Sequence, residues 1–187
     1  MPMNQTKEEL RKTILEKRLV LPADQIHLLS KPIQEKLIKG PLWSSCEKVG
    51  LYAPIKNEVE TKLLFMQALE MGYSVYFPRV EQGIRFYEIH DPSDLQKGAW
   101  GIPEPKDNCS SLEKLEELEL IVVPGIVFDK KGHRLGYGKG FYDNLLKNFP
   151  NQTVGLAYDF QVVEELPVDT HDCRLKRVIT EKHEYGV

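Results

Sequence analysis

Leu118-Glu-Leu-Ile-Val-Val-Pro-Gly125 decides the fold of this 187-residue chain. Four apolar residues run consecutively rather than alternating, the pattern of a strand covered on both faces, and Pro124-Gly125 ends it. Such a strand belongs at the centre of a largely parallel sheet and needs similar neighbours. Lys48-Val-Gly-Leu-Tyr-Ala53 and Tyr73-Ser-Val-Tyr-Phe77, the latter closed by Pro78, read as two of them. Residues 59–71 between them have helical spacing and stop at Gly72, so this is a β-α-β unit with a right-handed crossover. Thr153-Val-Gly-Leu-Ala157 and Arg177-Val-Ile-Thr180 supply further strands. Residues 84–89 supply another, either against 73–77 or at the edge of a side sheet. The stretch 91–110, with Pro92, Pro103, Pro105, Gly98 and Gly101, reads as a loop.

Upstream, residues 6–18 have a helical pattern. Thr6 caps with Glu9 three residues on, and Leu10, Ile14 and Leu15 mark the buried face. A second helix opens at Pro22, carries Ile26, Leu29, Ile33 and Leu37 on its stripe, and ends at Gly40-Pro41; Pro32 kinks or divides it. The expected architecture is one α/β domain over 1–187 with a helical amino-terminal extension.

Composition removes several function classes. A net charge of −3 gives no basic field for nucleic acid. No window approaches the apolar length of a membrane span, and the charged amino terminus (Lys7, Glu8, Glu9, Arg11, Lys12) is no export or transit signal. Cys46, Cys109 and Cys173 are widely spaced, which points away from disulfides and zinc knuckles and towards reduced cytoplasm.

The chemistry concentrates in Val123-Pro-Gly-Ile-Val-Phe-Asp-Lys-Lys-Gly-His-Arg-Leu-Gly-Tyr-Gly-Lys-Gly-Phe-Tyr-Asp143. Gly132, Gly136, Gly138 and Gly140 fall within nine residues, between the central strand and a helix expected over 138–148. A phosphate chain needs backbone N–H groups it can approach closely, which glycine permits, and a helix start adds free N–H groups. Arg134 and Lys139 add two cations, and Asp143 offers oxygen to a divalent ion. Neither the Walker A spacing nor the dinucleotide fingerprint is present. The loop reads as a polyphosphate cradle. His171-Asp172-Cys173 is no triad, because neighbours in sequence point apart; His133 is a turn residue, and the Glu113–Glu119 cluster is a solvated face.

This segment closely resembles the signature of the 5-formyltetrahydrofolate cyclo-ligases, also called methenyltetrahydrofolate synthetases. Lys7-Glu-Glu-Leu-Arg11, Asn57-Glu-Val-Glu-Thr61, Trp100-Gly-Ile-Pro-Glu-Pro105 and Pro167…His171-Asp172 follow the family's order along nearly the whole chain. The resemblance implies a Rossmann-like three-layer α/β fold. It also implies a reaction in which ATP with Mg²⁺ closes the N5-formyl group of a reduced folate onto N10. It places Lys7, Arg11 and the run Arg134, Leu135, Gly136, Tyr137, Gly138, Lys139, Gly140, Phe141, Tyr142 on ATP, with Lys139 and Arg134 acting in catalysis. Tyr52, Ala53, Glu58, Trp100 and the stretch from Tyr137 to Phe141 then border the folate, and Asp143 and Asp172 hold Mg²⁺. Many relatives have two tyrosines where this chain has Phe141-Tyr142, so Phe141 is expected as a wall without a polar contact.

The expected substrates are ATP and 5-formyltetrahydrofolate, with or without a polyglutamate tail, handled by a cytoplasmic monomer with no nucleic-acid or membrane partner. A phosphosugar isomerase or CoA-transferase-like protein, and a non-catalytic nucleotide- or folate-binding module, are the alternatives. The pairs Asp143/Asp172 and Lys7/Arg11 favour the ligase, since a monophosphate site needs neither.

Overall fold

The computed structural model describes residues 5–98 and 101–186. Helix α1 (Lys7–Leu19) begins where expected: the Thr6 hydroxyl accepts from the Glu9 N–H while the Glu9 carboxylate accepts from the Thr6 N–H. Its buried residues are Leu10, Ile14 and, less expectedly, Arg18; Leu15 is only half-buried. Helix α2 (Ala23–Lys39) runs through Pro32 as a single helix. The proline removes the N–H partner of the Leu28 carbonyl, on a turn where Leu28 is 70% exposed. A one-turn helix α3 (Pro41–Ser44) follows and seats Trp43 in the core.

The first strand, β1 (Lys48–Gly50), is shorter than expected, and helix α4 (Lys62–Glu70) starts later than residue 59. The residues in between form a built loop, with Lys56 and Asn57 both at positive φ. Strand β2 (Ser74–Val80) passes through Pro78 instead of stopping there. The Tyr76 carbonyl accepts from Leu51 N on the β1 side, so the nitrogen of Pro78, two residues on, faces the same way, beyond the end of β1. No ladder bond is lost. Strand β3 (Ile84–Glu88) pairs antiparallel with β2, which settles the alternatives left open for 84–89. The proline-rich stretch is not all loop: β4 (Leu95–Lys97) and β5 (Pro103–Pro105) form a small hairpin.

Strand β6 (Leu120–Val123) is buried at all four positions. It lies between β1 and β9 (Gln152–Leu156), parallel to both. With β11 (Arg177–Ile179) and β12 (Glu184–Gly186) the main sheet has the order β12-β11-β9-β6-β1-β2-β3, parallel except at its two edge strands. One face carries Val49, Val75, Leu120, Val122 and Val154 against α2, α3 and α4. The other carries Ile121, Val123 and Val178 against a thinner layer. Each such side chain contributes about 1.5–3 kcal/mol on burial. The result is the expected three-layer α/β arrangement with a mostly parallel central sheet.

The thin layer departs most from expectation. Strand β6 does not lead straight into the glycine loop. A hairpin of β7 (Val127–Asp129) and β8 (Arg134–Leu135) intervenes, with β10 (Val162–Val163) alongside β7. Gly132, at φ 86°, belongs to this hairpin turn. Helix α5 (Phe141–Leu146) spans six residues, not the expected 138–148, because Gly138 and Gly140 stand at φ 86° and 67°, outside right-handed helical geometry.

Phe128 pins the hairpin to the main sheet. A Cβ on Gly155 would lie 2.6 Å from the Phe128 ring and 2.8 Å from Leu175, and one on Gly125 would lie 2.6 Å from the same ring. Gly155→Ala is therefore expected to cost about 1–3 kcal/mol of unfolding free energy in urea titration. The double variant with Phe128→Leu should lose less than the sum of the two single changes, because the shortened side chain vacates the clash.

Candidate active site

Gly136 to Asp143 closes one side of a cavity of about 520 Å³ at the carboxyl ends of the parallel strands. Arg11, Tyr52, Ala53, Glu58, Arg134, Leu135, Gly136, Tyr137, Gly138, Lys139, Gly140, Phe141, Tyr142, Asp143 and Asp172 all line it. Arg11 and Asp172, far apart in sequence, thus meet in one place. Lys7 stands behind Asp172, and Trp100 lies outside the described residues.

On the cationic side, Arg11 donates from Nε to the Gly136 carbonyl at 2.8 Å, docking α1 against the glycine loop. Gly138 faces it, and its ideal Cβ would lie 3.9 Å from the Arg11 guanidinium carbon. Arg134 is 5% exposed and reaches Asp143 at 3.2 Å. Burial presses its pKa down from the usual arginine value, with Asp143 opposing. Its Nε–H is buried without an acceptor among the described residues, an orphan that a phosphate oxygen would satisfy. Lys139 is exposed and makes no ion pair with the described residues. Lys7 is not a second free prong beside Arg11: its ammonium sits 2.5 Å from Asp172 and 2.7 Å from Asp169. Burial lowers the Lys7 pKa, but those two carboxylates outweigh it and raise it.

The two acids expected to hold magnesium are both on the cavity wall, half-buried. Asp143 Oδ1 accepts from Arg134 and from Cys173 N–H, and Asp172 Oδ2 accepts from Lys7 and Asp169 N–H. Each keeps a second oxygen outside these bonds. Two hard carboxylate donors beside a phosphate cradle suit Mg²⁺, which takes one or two protein carboxylates and completes its shell with substrate and water. The tightest cluster of possible ligand atoms among the described residues is Asp169, His171 and Asp172, within 4.8 Å of one another, and it leaves Asp143 out.

The opposite wall is apolar, built from Ile55, Val80, Ile84, Ile102 and Pro103. The β2–β3 edge, not assigned to the site from sequence, and the β4–β5 segment, from which only Trp100 was expected there, provide most of it. Tyr52 is buried and spends its hydroxyl on the Val59 carbonyl, so it offers only its face. Glu58, 4% exposed, is a polar group on this side, where Lys56 and Glu104 also line the cavity. Its Oε2 accepts from Ile55 N–H at 3.0 Å, and its Oε1 lies 3.6 Å from Arg18 and 3.5 Å from the Tyr137 hydroxyl. Burial raises its pKa to about 7 against the pull of Arg18.

Arg18 escaped the sequence reading. Its guanidinium is fully buried and donates to Lys56 O, Gly125 O and Tyr137 Oη at 3.0, 2.8 and 2.7 Å. A signal for it existed: Lys7, Arg11, Ile14 and Arg18 fall within about 60° on a helical wheel, placing three cations along one face. His133, expected as a turn residue, does follow the hairpin turn but is also held by side chains. It is 7% exposed, locked between the Asp129 carboxylate at 2.9 Å and the Arg174 Nε–H at 2.8 Å, and it supports the hairpin from outside the cavity. Burial pushes the Cys173 thiol up, away from the reactive thiolate, in keeping with its dismissal as a nucleophile.

The raised pKa of Glu58 has a consequence for stability. In the unfolded chain Glu58 ionises near 4.5, and in the folded protein near 7, so between those pH values the native state holds one extra proton. Stability from this group is complete below pH 4.5 and is lost as pH rises through 7. Glu58→Gln removes that dependence. The difference in unfolding free energy between the two proteins should shift against the wild type by on the order of 2–4 kcal/mol between about pH 4.5 and 8. Parallel pH profiles would contradict the assignment.

Residues 3–181 match the 5-formyltetrahydrofolate cyclo-ligase family. The 5-formyltetrahydrofolate cyclo-ligase of Haemophilus influenzae is 32% identical over 91% of this chain and 95% of its own. That of Escherichia coli is 30% identical over 89% and 96%. Among solved structures, the 5,10-methenyltetrahydrofolate synthetase of Aquifex aeolicus superposes with a TM-score of 0.86 at 40% identity, covering 96% of this chain and 92% of its own. The Mycoplasma pneumoniae synthetase gives 0.78 at 26% identity, over 95% and 99%. By the extent of these matches, this chain belongs to the 5-formyltetrahydrofolate cyclo-ligase family.

Proposed function

We propose that the protein converts 5-formyltetrahydrofolate to 5,10-methenyltetrahydrofolate at the expense of ATP, releasing ADP and phosphate. The observation that carries this reading is a single cavity with two unlike walls: three glycines with Arg11, Arg134 and Lys139 on one, and apolar side chains around Glu58 on the other. A polyphosphate suits the first wall, and a flat heterocycle with N–H groups suits the second.

The formyl oxygen of an N-formyl group is a poor leaving group. In the proposed reaction it attacks the γ-phosphorus of ATP, the bond to the ADP oxygen breaks, and an iminium phosphate forms. N10 then adds to the formyl carbon and loses its proton, and the carbon–oxygen bond breaks with departure of phosphate. Arg134 and Lys139 neutralise charge on the transferring phosphoryl group, Arg11 and the glycine N–H groups orient the polyphosphate, and Lys7 holds Asp172 in place. Asp143 and Asp172 would hold Mg²⁺, which when bound supplies positive charge to the phosphate oxygens. Glu58 accepts from the pterin N–H edge, while Tyr52, Ala53 and Phe141 wall the ring. Phe141 brings no hydroxyl, so its contribution is apolar contact alone.

Residues 1–187 would then work as one catalytic unit, in a reducing cytoplasm that suits its three free cysteines. Among the described residues no helix is long and apolar enough to cross a membrane.

Incubation with 5-formyltetrahydrofolate, Mg²⁺ and ATP should raise the near-ultraviolet absorbance of the methenyl product, and omission of ATP should abolish the rise. Lys139→Ala should lower turnover by the equivalent of about 2–4 kcal/mol while leaving the protein folded, because the side chain is exposed. No rise with folded, ATP-binding protein would overturn the reading.

A further inference from the structure

We propose that Arg18 is a positioning residue for the folate side of the site, aiming the Glu58 carboxylate and the Tyr137 hydroxyl and holding Glu58 as a hydrogen-bond acceptor. The inference rests on the reading that the apolar wall receives the folate. Arg18 does not line the cavity and acts through residues that do. Two backbone carbonyls fix the plane of its guanidinium, Lys56 O on Nε and Gly125 O on Nη1. In that plane Nη2 donates to Tyr137 Oη at 2.7 Å and lies 3.6 Å from Glu58 Oε1. A lysine, with one point of attachment, could not reproduce this arrangement.

The guanidinium is not needed simply to hold α1. The Asn57 side-chain amide donates to the Arg18, Leu19 and Leu21 carbonyls at 3.1–3.2 Å, capping the end of that helix from another segment. Leu10 and Ile14 pack with Ile126, Val127 and Leu135, and Arg11 bonds Gly136. Asn57 and Lys56 adopt left-handed conformations at φ 59° and 48°, unusual for lysine, in the turn that presents the Lys56 carbonyl to Arg18. The turn and the guanidinium support each other, and Glu58 is the next residue along.

The chemistry explains the need. A carboxylate this deeply buried tends to take up a proton, and a protonated Glu58 would present a donor to the donor edge of the pterin. The groups facing Glu58 are Arg18 from α1, Lys56 and Tyr52 from the segment after β1, Tyr137 and Tyr142 from the glycine loop and α5, and Tyr158 after β9. Of these, Arg18 is the only buried cation; Lys56 is exposed, with its ammonium 4.8 Å above the Tyr137 ring.

The test measures affinity for 5-formyltetrahydrofolate and for ATP across about pH 6–9 in the wild type, Arg18→Lys, Arg18→Met, Glu58→Gln and the Arg18→Met/Glu58→Gln double variant. Wild-type folate affinity should fall as pH drops through about 7, where Glu58 gains its proton. Arg18→Met should move that fall to higher pH and weaken folate binding by about tenfold or more at neutral pH, with ATP affinity changed less than about threefold. Arg18→Lys should not restore it. In the Glu58→Gln background, Arg18→Met should change folate affinity by less than about threefold.

If Arg18→Met does not fold, the proposal is judged on the wild-type pH profile and on Arg18→Lys, which retains the charge. Equal losses of ATP and folate affinity, a flat wild-type profile, or the same cost in both backgrounds would overturn the positioning role. Failure of the wild type to turn over 5-formyltetrahydrofolate would instead overturn the reading of the site, and this role with it.

Discussion

A fully buried guanidinium, that of Arg18, is the constraint on which the rest of the site depends. A charge taken out of water is tolerated only where its donors are met, and here the acceptors come from three separate places: the segment after β1, the end of β6 and the glycine loop. Satisfying one side chain therefore fixes the relative positions of α1, two strand ends and the loop. Arg11, two turns earlier on the same face of α1, is delivered to Gly136 by that geometry. Lys7, one turn earlier still, meets Asp172.

The supports around this core divide the labour by chemistry. Apolar burial builds the sheet and its helical face, where Leu120 and Val122 pack under α2, α3 and α4. The opposite face is thin, so polar bonds take over there. The buried Asp129 carboxylate accepts from Lys131 N, His133 N, the His133 ring and Leu166 N, each at 2.9–3.0 Å, and so fixes the hairpin that carries Arg134. Phe128 supplies a large apolar anchor, using the space that Gly125 and Gly155 leave open. The cavity sits where these two kinds of construction meet, which is why one wall is charged and the other apolar.

The parts of the fold written in local pattern were legible from sequence. Thr6 and Glu9 announce the start of α1, and the unbroken apolar run at 120–123 announces a strand buried on both faces. Elements held mainly by tertiary contact were not legible. Val127-Phe-Asp129 and Arg134-Leu135 are too short to show a period, and the short run 138–148 looked helical although two glycines hold its start open. The same division holds in the site. Glycines and cations crowded into one segment read as a phosphate cradle by themselves. Arg18 looked like an ordinary basic residue at a helix end, and its burial depends on carboxylate, carbonyl and hydroxyl partners 38 to 119 residues away. Glu58 as a folate contact came from family likeness, and the geometry adds why that carboxylate sits near neutrality.

If the cavity holds the γ-phosphate of ATP against the formyl oxygen of the folate, as proposed, this oxygen leaves as part of the phosphate. The most direct measurement is single-turnover reaction of 5-formyltetrahydrofolate labelled with heavy oxygen in the formyl group, followed by mass analysis of the inorganic phosphate released. One labelled oxygen per phosphate formed is the expected result. Unlabelled phosphate, with the heavy oxygen released to water, would contradict it.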